Sequence, residues 1–285
     1  MTTRLLIIIV LFFISACSKT DKERISIAEK GVGDIVVGAV FPKNSVYHFL
    51  EGCELAIEDL NRKGGVLGRK VRAIVKDDED LILKGKEIAR EFAKNPEVVA
   101  VVGHNDSGVA VPVSLIYEMN KIVFINPCAT TPSLTAHGFR YVFRTVPTDT
   151  AYAKKLAKVA KKKFKAVLIV STVDLYGNTL SDNFSTFAAN LGVEIVGNIH
   201  FPPFEKDMKS EFIRCANLIE GKRFTDKYDS IFLAAKEQTA AKIIKIARDL
   251  KITSPFFGAD ELDAPYLWEI AGDAAVEGTI FCTIA

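Results

Sequence analysis

The sequence predicts an α/β protein built as two doubly wound lobes, each a parallel sheet covered by helices, with a ligand cleft between them. Three observations predict it. Short apolar runs alternate with amphipathic stretches from Asp34 onward, the pattern of strand–helix–strand units that makes neighbouring strands parallel and covers both sheet faces. The alternation falls into two series that divide between Arg144 and Thr150. The chain has 285 residues, 49% apolar and 25% charged, which is enough for two ordinary hydrophobic cores.

In the first series IVVGAV (35–40) reads as a strand, and FLEGCELAIEDLNRKGG (49–65) as an amphipathic helix. Its apolar positions are Leu55, Ala56 and Leu60, and a Gly-Gly pair stops it. VRAIVKDD (71–78) is a strand, 81–95 a helix, VVAVVGH (98–104) a strand, and a further helix opens at Ser107. IVFIN (122–126) leads into INPCATTPSLT, a strand end followed by small hydroxyl residues bracketed by prolines, and YVFRT (141–145) follows. The second series runs as a helix over 150–163, the strand AVLIVS (166–171), a helix over 178–191 and the strand VEIVGNIHF (193–201). A helix over 207–220, the strand YDSIFLAA (228–235) and a helix over 238–250 come next. SPFFGAD (254–260), a short helix near 262–271 and the strand GTIFCTI (278–284) complete it.

The N-terminus points outside the cytoplasm. Arg4 precedes the apolar run LLIIIVLFFI, too short for a comfortable membrane span but suited to a signal-peptide core. The run ends in Ile14-Ser15-Ala16-Cys17, which looks like a bacterial lipobox. We therefore expect a signal peptide over 1–16 and a lipidated, flexible tether over 17–34, with acyl chains on Cys17 holding the protein to a membrane surface. The lobes then span 35–147 and 148–285.

Several function classes are disfavoured. The formal net charge is +2, and the densest basic run, Lys161 to Lys165, suits the last turn of a helix, so no nucleic-acid partner is expected. No GxSxG, HExxH or GK[ST] motif occurs. No CxxC or Cys/His cluster suggests a metal, and no cofactor is expected. The cysteines other than Cys17 read as small buried apolar residues. His104 ends a strand and reads as a hydrogen-bonding loop residue rather than a base. Asp77 to Asp80 read as acids at a helix N-terminus rather than a cation site.

Binding fits better. In parallel sheets, ligands sit beyond the carboxyl ends of the strands. Ser107, in GHNDSG, stands at a helix N-terminus whose N–H groups suit a carboxylate. Thr130 and Thr131 follow the next strand. Ordinary helix capping is the competing account of Ser107 and Thr130. Asp260, after FFGAD, could receive an ammonium, and Tyr176, in DLYG, could close over a ligand.

GAVFP, GCELAIEDLNRKGGVLGRKV, KDDED, the stretch GHNDSG through FRYVFRT, DLYGN and AGDAAVEGTIF together resemble the periplasmic leucine/isoleucine/valine-binding proteins. These are type I substrate-binding proteins of ABC transporters. The resemblance covers about 35–285. It implies two lobes that close on a ligand, with no chemical step, and delivery of that ligand to a transporter permease. It further implies that Ser107 and Thr130 hold an amino-acid carboxylate, that the backbone at Cys128 and the carboxylate of Asp260 receive the ammonium, and that Tyr176 and Tyr47 contact the ligand. Gly108 departs from the small hydroxyl residue common there. Lys236 stands where an aromatic is common. It either faces the cleft, favouring a second anionic group on the ligand, or faces solvent. Family members continue past EGTIF and return to the first lobe. The resemblance therefore implies an incomplete first lobe with exposed apolar surface and an unpaired strand edge. Two other readings stand beside transport: a ligand sensor of the same fold acting on a signalling partner, and a cleft enzyme.

Overall fold

A computed structural model describes residues 20–43, 45, 48–202, 208–210, 213 and 228–283. The expected signal peptide, Cys17, Tyr47, Cys215 and most of the helix expected over 207–220 lie outside the described residues.

The chain divides into two compact units. One comprises residues 1–129 and 133–146, the other 130–132 and 147–285. The dividing point at 146/147 falls inside the predicted interval. The first unit holds β1 (Ile35–Val40), β2 (Val71–Lys76), β3 (Val98–Gly103), β4 (Val123–Asn126) and β5 (Val142–Arg144) in the order β2-β1-β3-β4-β5. Every pairing is parallel. Helices α2 (Phe49–Arg62), α3 (Ile82–Lys94) and α4 (Ser107–Met119) connect the first four strands.

The second unit repeats the plan. Its strands β6 (Ala166–Thr172), β7 (Glu194–Phe201), β8 (Ser230–Ala234), β9 (Phe256–Gly258) and β10 (Ile280–Phe281) lie in the order β10-β9-β8-β6-β7, again all parallel. Among the described residues its helices include α5 (Asp149–Lys163), α6 (Leu175–Asn190), α7 (Glu237–Asp249) and the single turn α8 (Asp273–Val276). The stretch expected as one helix near 262–271 is instead broken into short turns at Asp260–Leu262 and Leu267–Ala271.

The period of two along each strand sets the cores. Val167 and Ile169 of β6, with Phe232 and Phe257, face Leu156 of α5 and Leu180 and Phe184 of α6. Leu168 and Val170 point the other way, toward Ile243 and Ile244 of α7. The Phe184 and Phe232 rings stack at 3.8 Å between centroids. Sheet residues buried on both faces need covering on both faces, and α5, α6 and α7 provide it.

The first unit is lopsided. Its core packs Val36, Val40 and Val101 against Ile88 and Phe92 of α3 and Val109, Val113 and Tyr117 of α4. On the other sheet face α2 contributes no buried residue, and Leu55 is 65% exposed. The helix is amphipathic as expected, and Phe49 stacks on the buried Phe41 ring at 4.4 Å, but Leu55, Ala56 and Leu60 stay exposed.

The flexible tether expected over 17–34 is corrected for its larger part. Residues 20–30 form a helix, α1. Arg24 explains its docking. The residue is 7% exposed, and its side chain donates to the carbonyls of Val98 (2.8 Å), Asn120 (3.0 Å), Ala93 (3.1 Å) and Asn95 (3.3 Å). These are the end of α3, the cap of α4 and the start of β3, so one guanidinium satisfies carbonyls that two helix ends leave without intrahelical partners.

Candidate functional site

The site residues of the first unit stand where β3 and β4 end. Gly103 has φ +136°, and a side chain there would lie 1.9 Å from the Val40 carbonyl oxygen, so only glycine lets β3 turn away this close to β1. His104 follows, wholly buried. Its Nδ1 lies 2.7 Å from Asp78 Oδ2 and its Nε2 2.9 Å from the Tyr117 hydroxyl. This bears out His104 as a hydrogen-bonding loop residue. It also corrects the reading of the acid run: Asp78 is a buried partner of His104, and no acid lies in the first turn of α3.

Asp106, not Ser107, caps α4; its side chain accepts from the Val109 N–H. Ser107 is the first residue of the helix and 4% exposed. The capping account of Ser107 is thereby set aside, and the residue belongs to the first turn, whose N–H groups suit an anion. Gly108 also has a reason: a side chain there would press to 2.8 Å from Asp106 Oδ1, against the cap. Cys128 is half-buried, not the buried residue expected, and its N–H donates to Asn126 Oδ1 at 3.0 Å.

In the second unit, Thr130 is buried and its hydroxyl has no hydrogen-bond partner among the described residues. Its carbonyl accepts from the Asp149 N–H at 2.8 Å. Asp149 is itself wholly buried, and the Thr179 hydroxyl donates to it at 2.5 Å. Tyr176 lies in the first turn of α6, which starts three residues earlier than its periodicity suggests because Asp174 caps it, accepting from the Gly177 N–H at 2.8 Å. A side chain at Gly177 would lie 2.2 Å from the Thr172 carbonyl oxygen, so glycine allows this helix start to press onto β6. That contact aims Tyr176 at Asp260, to which its hydroxyl donates at 3.2 Å.

The electrostatics follow from this crowding. Asp260 is enclosed by protein on most sides although a sliver stays accessible. Burial, and then the nearby Asp149 charge, push its carboxyl up to about 7. Burial also pushes Tyr176 and Tyr152 up, with Asp260 the next cause for both. The buried Tyr152 hydroxyl has no partner among the described residues. Glu261 is raised well above the usual carboxylate range, chiefly by burial, and accepts from the Glu237 N–H at 3.1 Å. Lys236 is half-buried at the start of α7, and its charge partly offsets that rise.

Thus the structure brings Tyr176 and Asp260 together and adds Asp149, Tyr152 and Glu261, which sequence reading missed. Asp149 is the first residue of α5, and nothing in its local sequence marks it as a neighbour of Asp260. A group of acids held above its ordinary range favours a cation, because a positive charge removes the cost of ionising them. Among the described residues, no three His, Cys, Asp or Glu side chains are arranged to hold a metal ion.

Comparison with known proteins decides the family. A periplasmic binding protein family model matches residues 35–284. The chain belongs to the periplasmic binding protein family. Among its relatives this periplasmic binding protein is 31% identical over 255 residues to the Leu/Ile/Val-binding protein BraC3 of Rhizobium johnstonii, covering 87% of this chain and 67% of that one. It is 29% identical to the Leu/Ile/Val-binding protein of Citrobacter freundii, covering 66% of it. The chain thus spans about two thirds of the length of these relatives. A substrate-binding protein of an ABC transporter from Desulfitobacterium hafniense, solved in complex with Leu, matches with a TM-score of 0.66 at 32% identity, over 81% of this chain and 67% of that one. The leucine-binding protein LivK of Thermotoga maritima matches with a TM-score of 0.76 at 25% identity, over 87% and 69%.

Proposed function

We propose that the protein is an extracytoplasmic solute-binding lipoprotein that captures a small amino acid and delivers it to an ABC importer. Its work is affinity and lobe closure, with no chemical step. The observation that carries this reading is the Tyr176–Asp260 pair set against Asp149, with Asp260 raised to about 7. Such a pair is unfavourable when empty and is relieved by an ammonium. Ser107 at the start of α4 and the unpartnered Thr130 hydroxyl are suited to the carboxylate. The names of the relatives, which bind Leu, Ile and Val, support an aliphatic amino acid.

Calorimetric titration with leucine, isoleucine, valine and an acidic amino acid tests the function. Tight binding of an aliphatic member is expected. Absence of binding to every amino acid, with a cooperative melting transition intact, would overturn the reading. The lipid anchor is tested separately: labelled fatty acid should be incorporated into the parent protein and lost in Cys17→Ala.

A further inference from the structure

Asn126 ends β4 and is wholly buried. Its side chain uses every hydrogen-bonding position a primary amide has. Nδ2 donates to the carbonyls of Gly103 at 2.8 Å and His104 at 2.7 Å. Oδ1 accepts from the N–H groups of Cys128 at 3.0 Å and Ala129 at 2.6 Å. The orientation of the amide is forced, since two carbonyls demand the NH2 end and two N–H groups demand the oxygen.

The four partners belong to two loops. Gly103 and His104 open the segment that ends in Ser107. Cys128 and Ala129 lead directly into Thr130. The loops leave neighbouring strands of one sheet, where Val102 of β3 is in register with Ile125 of β4. The first loop is also fixed from behind. His104 holds a left-handed backbone, φ 55°, between Asp78 and Tyr117. Asn126 is therefore a bridge of fixed length between two ligand-facing loops, one of which has no freedom to follow if the bridge changes.

We propose that Asn126 is a positioning residue that sets the separation of these two loops and, through it, the preference of the site for a carboxylate. It touches no ligand itself. The proposal rests on the reading above, that the loops receive an amino-acid carboxylate.

The test compares L-leucine with L-leucinamide, which keeps the ammonium and the side chain and lacks only the carboxylate, by calorimetry at pH 7 on the parent, Asn126→Ser and Asn126→Gln. The parent should prefer leucine by about 100-fold or more, as expected for a buried charged contact. Both variants should lower that ratio at least tenfold. A general loss of stability would weaken both probes alike and leave the ratio unchanged. Asn126→Gln carries the same amide one methylene further out. It restores the ratio if only hydrogen-bond satisfaction matters, and fails to restore it if length matters. A parent without preference for leucine overturns the functional reading and this proposal together. A parent with the preference and variants that keep it overturn this proposal alone. If neither variant folds, the role of Asn126 is structural and the proposal is overturned.

Discussion

Asp260 should make ligand affinity depend on pH in a direction opposite to its effect on the empty protein. Its carboxyl rises from 3.8 to about 7 on folding. At about 1.36 kcal/mol per pH unit this is on the order of 4 kcal/mol. The group is raised, so the folded empty protein holds the proton more tightly than the unfolded chain. Its contribution is therefore most favourable below pH 3.8, declines as pH rises, and by about pH 7 the full cost is present. An ammonium on the ligand requires the ionised form. Between pH 8 and pH 5 the ionised fraction of a group titrating near 7 falls about 100-fold, and the Kd for leucine should rise by up to that factor. Titration calorimetry across this range, in buffers of differing ionisation enthalpy, should also show proton release near pH 7. Asp260→Asn should flatten the profile and weaken binding by about 2–5 kcal/mol, while raising the unfolding midpoint of the empty protein at pH 8. A variant with parental affinity and parental pH dependence, or one less stable than the parent when empty at pH 8, would sink the assignment.

Three further outcomes follow from the packing. Tyr176→Phe removes the hydroxyl that favours ionised Asp260, so leucine binding at pH 7 should weaken by about 1 kcal/mol and the midpoint of its pH profile should move upward. Gly177→Ala drives a methyl into the Thr172 carbonyl; a loss of about 1–3 kcal/mol in denaturant unfolding and weaker binding are expected, and an unchanged midpoint would contradict the close approach of α6 to β6. Arg24→Ala leaves carbonyls of Ala93, Val98 and Asn120 without their donor. We expect about 2–4 kcal/mol of destabilisation and rapid proteolysis within 20–30, whereas parental protease resistance there would show that α1 is held by other contacts.

The sequence alone determined the alternation of strands and helices, the parallel sheets and the division near residue 147. These depend on local periodicity and on the rule that a strand apolar on both faces must be covered on both. It also pointed to Ser107, Thr130, Tyr176 and Asp260, partly through position at strand ends and partly through family resemblance. Tertiary structure decided what no spacing encodes. Arg24 reads as one charge in a polar stretch until the ends of α3 and α4 gather around it. Asp149 is a helix-start acid until β9 brings Asp260 near enough to raise its neighbour's carboxyl. Asn126 is a strand-end polar residue until β3, more than twenty positions earlier, presents the carbonyls of Gly103 and His104. The physical reason is common to all three. Periodicity records how a residue faces its own element, whereas charge, desolvation and hydrogen bonding depend on which distant elements the sheet order places beside it.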